Sequence, residues 1–206
     1  MCFVDGCYEK INKNNINEMK HQNNITTKLN RYPEIFNFCN ENKPKNNCKI
    51  LSFGSSTGEE LVTLAMHFGE SEIHGVEIDT ECIDKSKIIT KNVDRIKVSQ
   101  YIPDEKFDVI FCMSVLCRWP ETQTINDCSD IYKFEQFEGE INKIDKHLNK
   151  NGLLIIFNSN FIFEDAEISK KYESIFSTND AQVHKFSKEN KKTHKEYKNC
   201  VFKKIN

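Results

Sequence analysis

From Cys48 onward the apolar positions alternate between two rhythms. Cys48-Lys49-Ile50-Leu51-Ser52-Phe53 is a short apolar run that stops at Gly54, the pattern of a buried strand. Leu61, Leu64, Ala65 and Phe68 then fall on one face of a helix that starts at Gly58, and Gly69 follows as a stop. Glu72 to Glu77 reads as a second strand, and Thr80 as the cap of a helix running to about Asn92. Ile96-Lys97-Val98 predicts a short third strand and Phe107 to Cys112 a fourth. Phe134, Phe137, Ile141, Ile144 and Leu148 recur three or four apart, which predicts an amphipathic helix ended by Asn151-Gly152. Leu153 to Phe157 is a fifth strand, a helix is expected around Asp165 to Phe176, and Cys200-Val201-Phe202 closes the pattern with a last strand. Continuously apolar strands that alternate with helices imply a mainly parallel sheet covered on both faces, a Rossmann-like, doubly wound α/β fold.

The chain before Cys48 reads differently. Residues 1–30 are polar and Asn-rich with weak periodicity, which suits a loose helix or an arm. Arg31-Tyr32-Pro33 leads into Ile35, Phe36 and Phe38, and Pro33 suits the first turn of a short helix. Lys43-Pro44-Lys45-Asn46-Asn47 reads as a linker. The expected organisation is therefore an N-terminal arm over residues 1–46 and one α/β domain over residues 47–206, because 206 residues leave too little for a second full domain.

Charge and cysteine content narrow the function classes. A net charge of −2 with balanced acids and bases gives no electrostatic footprint for nucleic acid or an anionic membrane. No apolar run approaches the roughly 18 residues of a membrane span, and no secretory signal is visible after Met1. The nine cysteines include no C-x-x-C pair and have no His-x-x-x-His partner, so neither a disulfide framework nor a zinc site is expected. Reduced thiols in a cytosol-like compartment fit better, several of them packed as small apolar side chains. The abundance of Asn and Lys reads as a coding bias rather than as chemistry.

The stretch that carries chemistry is Phe53-Gly54-Ser55-Ser56-Thr57-Gly58-Glu59-Glu60, between a buried strand and a helix. Gly54 permits a sharp turn and Gly58 a helix start close against the sheet, so a nucleoside ligand can lie across the carboxyl end of the strands. Glu77 ends the second strand, 19 positions after Gly58, where a carboxylate accepts two hydrogen bonds from a ribose diol. A dinucleotide fingerprint needs G-x-G-x-x-G, and here Ser56 and Glu59 stand at the second and third glycines. Glu59 and Glu60 repel a pyrophosphate at the helix N-terminus but attract a ligand with an ammonium and a sulfonium; ordinary compensation of the helix dipole is the preferred reading of Glu60.

Ile50 to Glu60 resembles motif I of the class I S-adenosylmethionine-dependent methyltransferases, in the variant of the chemotaxis-receptor glutamate methyltransferases. Gly75-Val76-Glu77-Ile78-Asp79 is similar to the second motif, Phe107 to Leu116 to the fourth, and Leu148 to Ile155 to the approach to strand five. The Arg-Tyr-Pro segment, Ser159-Asn160-Phe161 and the final Val201-Phe202-Lys203-Lys204 resemble uncharacterised bacterial members. Ser52 replaces the usual strand-one acid, no adenine-contacting acid follows strand three, and no receptor-docking insertion is evident, which argues against a chemotaxis receptor as substrate. The resemblance implies S-adenosylmethionine as cofactor, contacted by Gly54, Ser55, Ser56, Thr57, Gly58 and Glu59 on its methionine side. Glu77 and Ile78 would hold ribose and adenine edge, and Cys112 and Met113 would face the reacting centre.

Acceptor contacts are expected from loops past strands four and five: Ser114, Arg118, Asn158 and Asn160. Trp119 is either a contact there or a loop anchor. No general base stands out among the six histidines; His67, His74 and His147 read as structural. Without a basic stripe or an inserted recognition domain, a small-molecule or glycan-type acceptor is expected rather than nucleic acid. The alternatives are a non-catalytic binding protein of the same fold and, less well supported by the glycines, an NAD-dependent oxidoreductase.

Overall fold

A computed structural model describes residues 20–179 and 183–206. The readings made for Met1 to Met19, including Cys2 and Cys7, lie outside the described residues. Seven strands form one sheet: β1 (Lys49–Phe53), β2 (Glu72–Val76), β3 (Ile96–Ser99), β4 (Phe107–Met113), β5 (Leu148–Phe157), β6 (Tyr172–Ser177) and β7 (Asn199–Lys204). Their order is β3-β2-β1-β4-β5-β7-β6. β1 to β5 pair in parallel, while β7 runs antiparallel to both β5 and β6. Strands are added outward in one direction from β1 to β3 and in the other from β4, so the switch in strand order lies at the carboxyl ends of β1 and β4, where a crevice is expected in an open α/β sheet.

All seven residues of β4 are buried. From Val109 onward the side chains alternate between two cores. Val109, Phe111 and Met113 join the face covered by α1 (Pro33–Asn42) and α2 (Glu59–His67), with Ile35, Phe36, Leu61 and Leu64. Ile110 and Cys112 join the face covered by α4 (Phe134–Asp145), with Phe137, Ile141 and Ile144. α3 (Thr80–Thr90) packs beside α2 and over β3. Among the described residues no helix is long and apolar enough to cross a membrane.

Three boundaries differ from the expected ones. Asp79, not Thr80, caps α3: its carboxylate accepts from the amides of Glu81 and Cys82. α4 ends at Asp145, and Asn151-Gly152 lies within β5 with Asn151 at φ +62°, because Leu148 already pairs with Phe107 across an irregular register. The helix expected over Asp165 to Phe176 is instead two short 3-10 turns, Phe163–Asp165 and Glu167–Lys171, followed by β6. The Glu- and Lys-rich composition of that stretch favours a helix locally. An antiparallel partner in β7 and the stacking of Phe176 on Phe38 of α1, with centroids 4.4 Å apart, favour the strand.

α1 starts at Pro33 and stops before Lys43, whose extended backbone (ψ 148°) is what the following Pro44 imposes. It buries Ile35, Phe36 and Cys39 against the sheet. Residues 20–32 run ahead of it across the carboxyl ends of the strands. They are tied down at Lys20 to Asp79 (3.2 Å), at Gln22 to the Cys117 thiol (3.0 Å), at Ser56 Oγ to the Ile25 carbonyl (2.9 Å) and at the Asn30 amide to Thr63 (2.9 Å).

Candidate functional site

The turn after β1 takes its shape from neighbours on two sides. Gly54 sits at φ +78°, and a side chain there would overlap Val115, which follows β4. Gly58 sits at φ +101°, and a Cβ would come within 2.7 Å of both Ile89 and Ser86 of α3. This second glycine therefore brings α2 against α3 rather than against the sheet. The amides of Gly54 and Ser55 both donate to the Val76 carbonyl (2.8 and 3.0 Å), which splices the turn onto the end of β2.

Glu77 stands at that splice. One carboxylate oxygen accepts from the Ser56 amide (2.8 Å) and the other from the Asp79 amide (3.0 Å). Each oxygen keeps further acceptor capacity, and the residue lines a cavity of about 370 Å³ over the ends of β1, β2 and β4. Gly54, Ser55, Ser56, Ile78, Met113 and Ser114 line the same cavity. Phe53, Val115, Tyr101 and Ile102 add apolar wall, and Lys20, His21, Ile25, Arg31 and Tyr32 roof it.

Glu59 and Glu60 exchange the places expected of them. Glu59 turns back, its carboxylate accepting from Thr57 Oγ1 (2.6 Å), and Thr57, Gly58 and Glu59 lie outside the cavity lining. Glu60 faces the cavity and accepts from Ser52 Oγ (2.7 Å). Burial raises its carboxyl to about 7, against the opposing pull of the Ser52 hydroxyl and the Arg31 charge. Ser52 and Glu60 together put a carboxylate beside the position where the family pattern has a strand-one acid.

Several other expected contacts lie behind the wall or beyond it. Cys112 is fully buried within β4, and burial pushes its thiol up. Asn160 is fully buried too: it accepts from the Arg118 amide (2.6 Å) and donates to Thr122 Oγ1 (3.2 Å) and the His184 carbonyl (3.0 Å), which makes it a loop brace. Arg118 lies in that braced loop, outside the cavity lining, and Trp119 is an exposed loop residue. Asn158 sits one layer back and donates to the hydroxyls of Tyr32 and Ser114, both at 3.1 Å. His67, His74 and His147 hydrogen-bond Asn30, Ser99 and the Glu105 carbonyl. Among the described residues no group of His, Cys, Asp and Glu is arranged to hold a metal ion.

His21 and Arg31 line the cavity without any signal in the sequence, and Glu60, read there as helix-dipole compensation, lines it too. The imidazole of His21 is buried between the Tyr132 hydroxyl (Nδ1, 2.9 Å) and Glu140 (Nε2, 3.4 Å), groups more than a hundred positions away that no local pattern connects to it.

A family model described as "Methyltransferase domain" matches residues 44–206. The chain belongs to this family. It is a class I methyltransferase domain, and the cofactor of that class is S-adenosylmethionine. No curated protein sequence matches it. Among solved structures, the ribosomal protein L11 methylase from Lactobacillus delbrueckii subsp. bulgaricus is similar at TM-score 0.56 and 12% identity, covering 84% of this chain and 79% of that one. TehB from Haemophilus influenzae is similar at TM-score 0.49 and 14% identity over 78% and 58% of the two chains. Coclaurine N-methyltransferase bound to N-methylheliamine and SAH is similar at TM-score 0.43 and 13% identity, over 60% of this chain and 34% of that one. The methyltransferase domain thus spans about a third of the length of the first solved chains it matches. At these identities the likeness is one of fold.

Proposed function

We propose that this methyltransferase domain transfers the methyl group of S-adenosylmethionine to a small polar or glycan-type acceptor, with the cofactor in the cavity over β1, β2 and β4. The observation that carries the reading is Glu77. Two backbone amides from different turns fix its carboxylate at the cavity wall, with acceptor capacity left for a ribose diol. The other walls suit the rest of the same ligand: Ile78, Tyr101 and Ile102 for adenine, and the Glu60 carboxylate for an ammonium. Gly54, Ser55 and Ser56 supply the close-lying backbone between them.

When bound, S-adenosylmethionine supplies an electrophilic methyl carbon on a sulfonium, so the protein's task is alignment and exclusion of water. Met113 and Ser114, at the end of β4, would face that carbon, and Tyr32 lines the same cavity from the arm. The arm is then part of the site rather than a tether, and residues 47–206 alone lack the roof. Arg118 and Asn160 play no direct part in this reading, because Asn160 is spent on bracing its own loop. The seven described cysteines are all free and buried, which suits a reducing, cytosol-like compartment.

Calorimetry with S-adenosylhomocysteine and NAD tests the cofactor reading. Binding of the first and not the second is expected; the reverse, or binding of neither, removes it.

A further inference from the structure

Two hydroxyls at the acceptor end of the cavity are held ready to donate. The Asn158 amide nitrogen donates to Tyr32 Oη and to Ser114 Oγ, both at 3.1 Å. A hydroxyl that accepts through a lone pair keeps its own hydrogen for another partner. Among the described residues neither hydroxyl has a second partner, and both residues line the cavity. Tyr32 is only 7% exposed, so its hydroxyl has little access to bulk water. The backbone pays for this arrangement with strain: Ser114 and Asn158 sit at φ +58° and +52° at the ends of neighbouring strands β4 and β5, a left-handed conformation that non-glycine residues hold only where the surroundings fix it.

Among the described residues, His21 and the carboxylates around the cavity already hold partners. His21 has both ring nitrogens engaged, on Tyr132 and Glu140. Glu140 also accepts from Lys143 (2.9 Å), Glu77 takes two amides, and Glu60 takes Ser52. Arg31 brings a positive charge beside Tyr32, its guanidinium 5.0 Å from the ring centroid. It donates to the Thr26 carbonyl at 3.3 Å, one use of a group with five N–H donors. Two converging donors and a cation suit a nucleophile that is already an anion and has no proton to lose.

We propose that the acceptor presents an ionised carboxylate, held by the hydroxyls of Tyr32 and Ser114, and that the product is a methyl ester. The inference rests on the methyltransferase reading above. A carboxylate oxygen forms the new C–O bond to the methyl carbon as the C–S bond breaks, and the electron pair of that bond stays on sulfur. The negative charge of the carboxylate and the positive charge of the sulfonium cancel, and no proton moves. Asn158 acts as a positioning residue that sets the direction of both hydroxyls.

The full chain would be incubated with methyl-labelled S-adenosylmethionine and a cell extract divided into small-molecule and protein fractions. The labelled products would then be treated with mild alkali, which releases methanol from methyl esters and leaves methyl ethers, amines and thioethers intact. The expected result is label released as methanol, from the small-molecule fraction if the carboxylate is a metabolite's and from the protein fraction if it is a side chain's. Incorporation should fall about tenfold or more in Tyr32→Phe/Ser114→Ala, as expected for lost hydrogen bonds to a charged group. The S-adenosylhomocysteine affinity of that variant should stay within about threefold of wild type. Label that survives alkali overturns the proposal, and so does wild-type incorporation no greater than that of the double variant. Failure of the wild type to bind S-adenosylhomocysteine would instead overturn the cofactor reading.

Discussion

Asn158 and Tyr32 are 126 positions apart, and the amide of the first donates to the hydroxyl of the second at 3.1 Å. This bond joins the end of β5 to the start of α1 behind the cavity wall. Asn158→Asp keeps the shape and removes the donor. The carboxylate would draw the Tyr32 and Ser114 hydrogens towards itself and away from the acceptor. Methyl transfer should fall about tenfold or more, with S-adenosylhomocysteine affinity little changed. Single-turnover rates beside a binding isotherm would check this, and an unaltered rate would count against Asn158 as the positioning group.

Glu77 should carry cofactor affinity and little of the fold. Hydrogen bonds to a charged group contribute about 1.5–3 kcal/mol each. Glu77→Ala is therefore expected to weaken S-adenosylhomocysteine binding by roughly tenfold or more. Calorimetry gives the affinity and a urea melt the stability; equal loss of both would make the residue a splice of the two turns only.

Glu60 predicts a dependence on pH. Its carboxyl is raised to about 7 in the folded protein, from an ordinary value of 4.5. Between those two values the unfolded chain gives up the proton while the folded one keeps it, so this group's contribution to stability declines as pH rises and levels off above about 7. Glu60→Gln removes the effect. The variant should gain stability relative to wild type on going from pH 5 to pH 8, read from thermal melts without ligand. If Glu60 pairs with the ammonium of the cofactor, wild-type affinity should rise through the same pH range and that of the variant should not.

Phe36 anchors the roof. Its ring lies 5.5 Å from that of Phe111 and 5.6 Å from that of His67, and it is 2% exposed. Phe36→Ala should cost about 3–5 kcal/mol by urea denaturation, through lost burial and the cavity left behind. Removing residues 1–46 should lower both stability and S-adenosylhomocysteine affinity. A truncated protein that melts and binds like the full chain would return the arm to a tether.

The sequence by itself determined the strands of the parallel sheet, the turn at Gly54 to Gly58 and the acid at Glu77. Each of these is a local matter: an apolar run, a glycine at a positive φ, or a residue at a strand end. It also showed that Tyr32 to Cys39 had to bury a cluster, over the cleft or over the sheet edge beside it. Tertiary structure decided the rest, because it depends on partners far apart in the chain. β6 forms in a helix-favouring stretch because β7 and Phe38 are there to receive it. Glu60 faces the cavity, and Glu59 does not, because Ser52 on β1 offers the former a hydroxyl. Asn160, expected from the sequence to be an acceptor contact like Asn158, becomes a brace because the Arg118 amide, Thr122 and the His184 carbonyl surround it. His21 and Arg31 reach the cavity only because the arm folds back over the sheet, and the polar, weakly periodic residues before Tyr32 carry no hydrophobic period that would have said so.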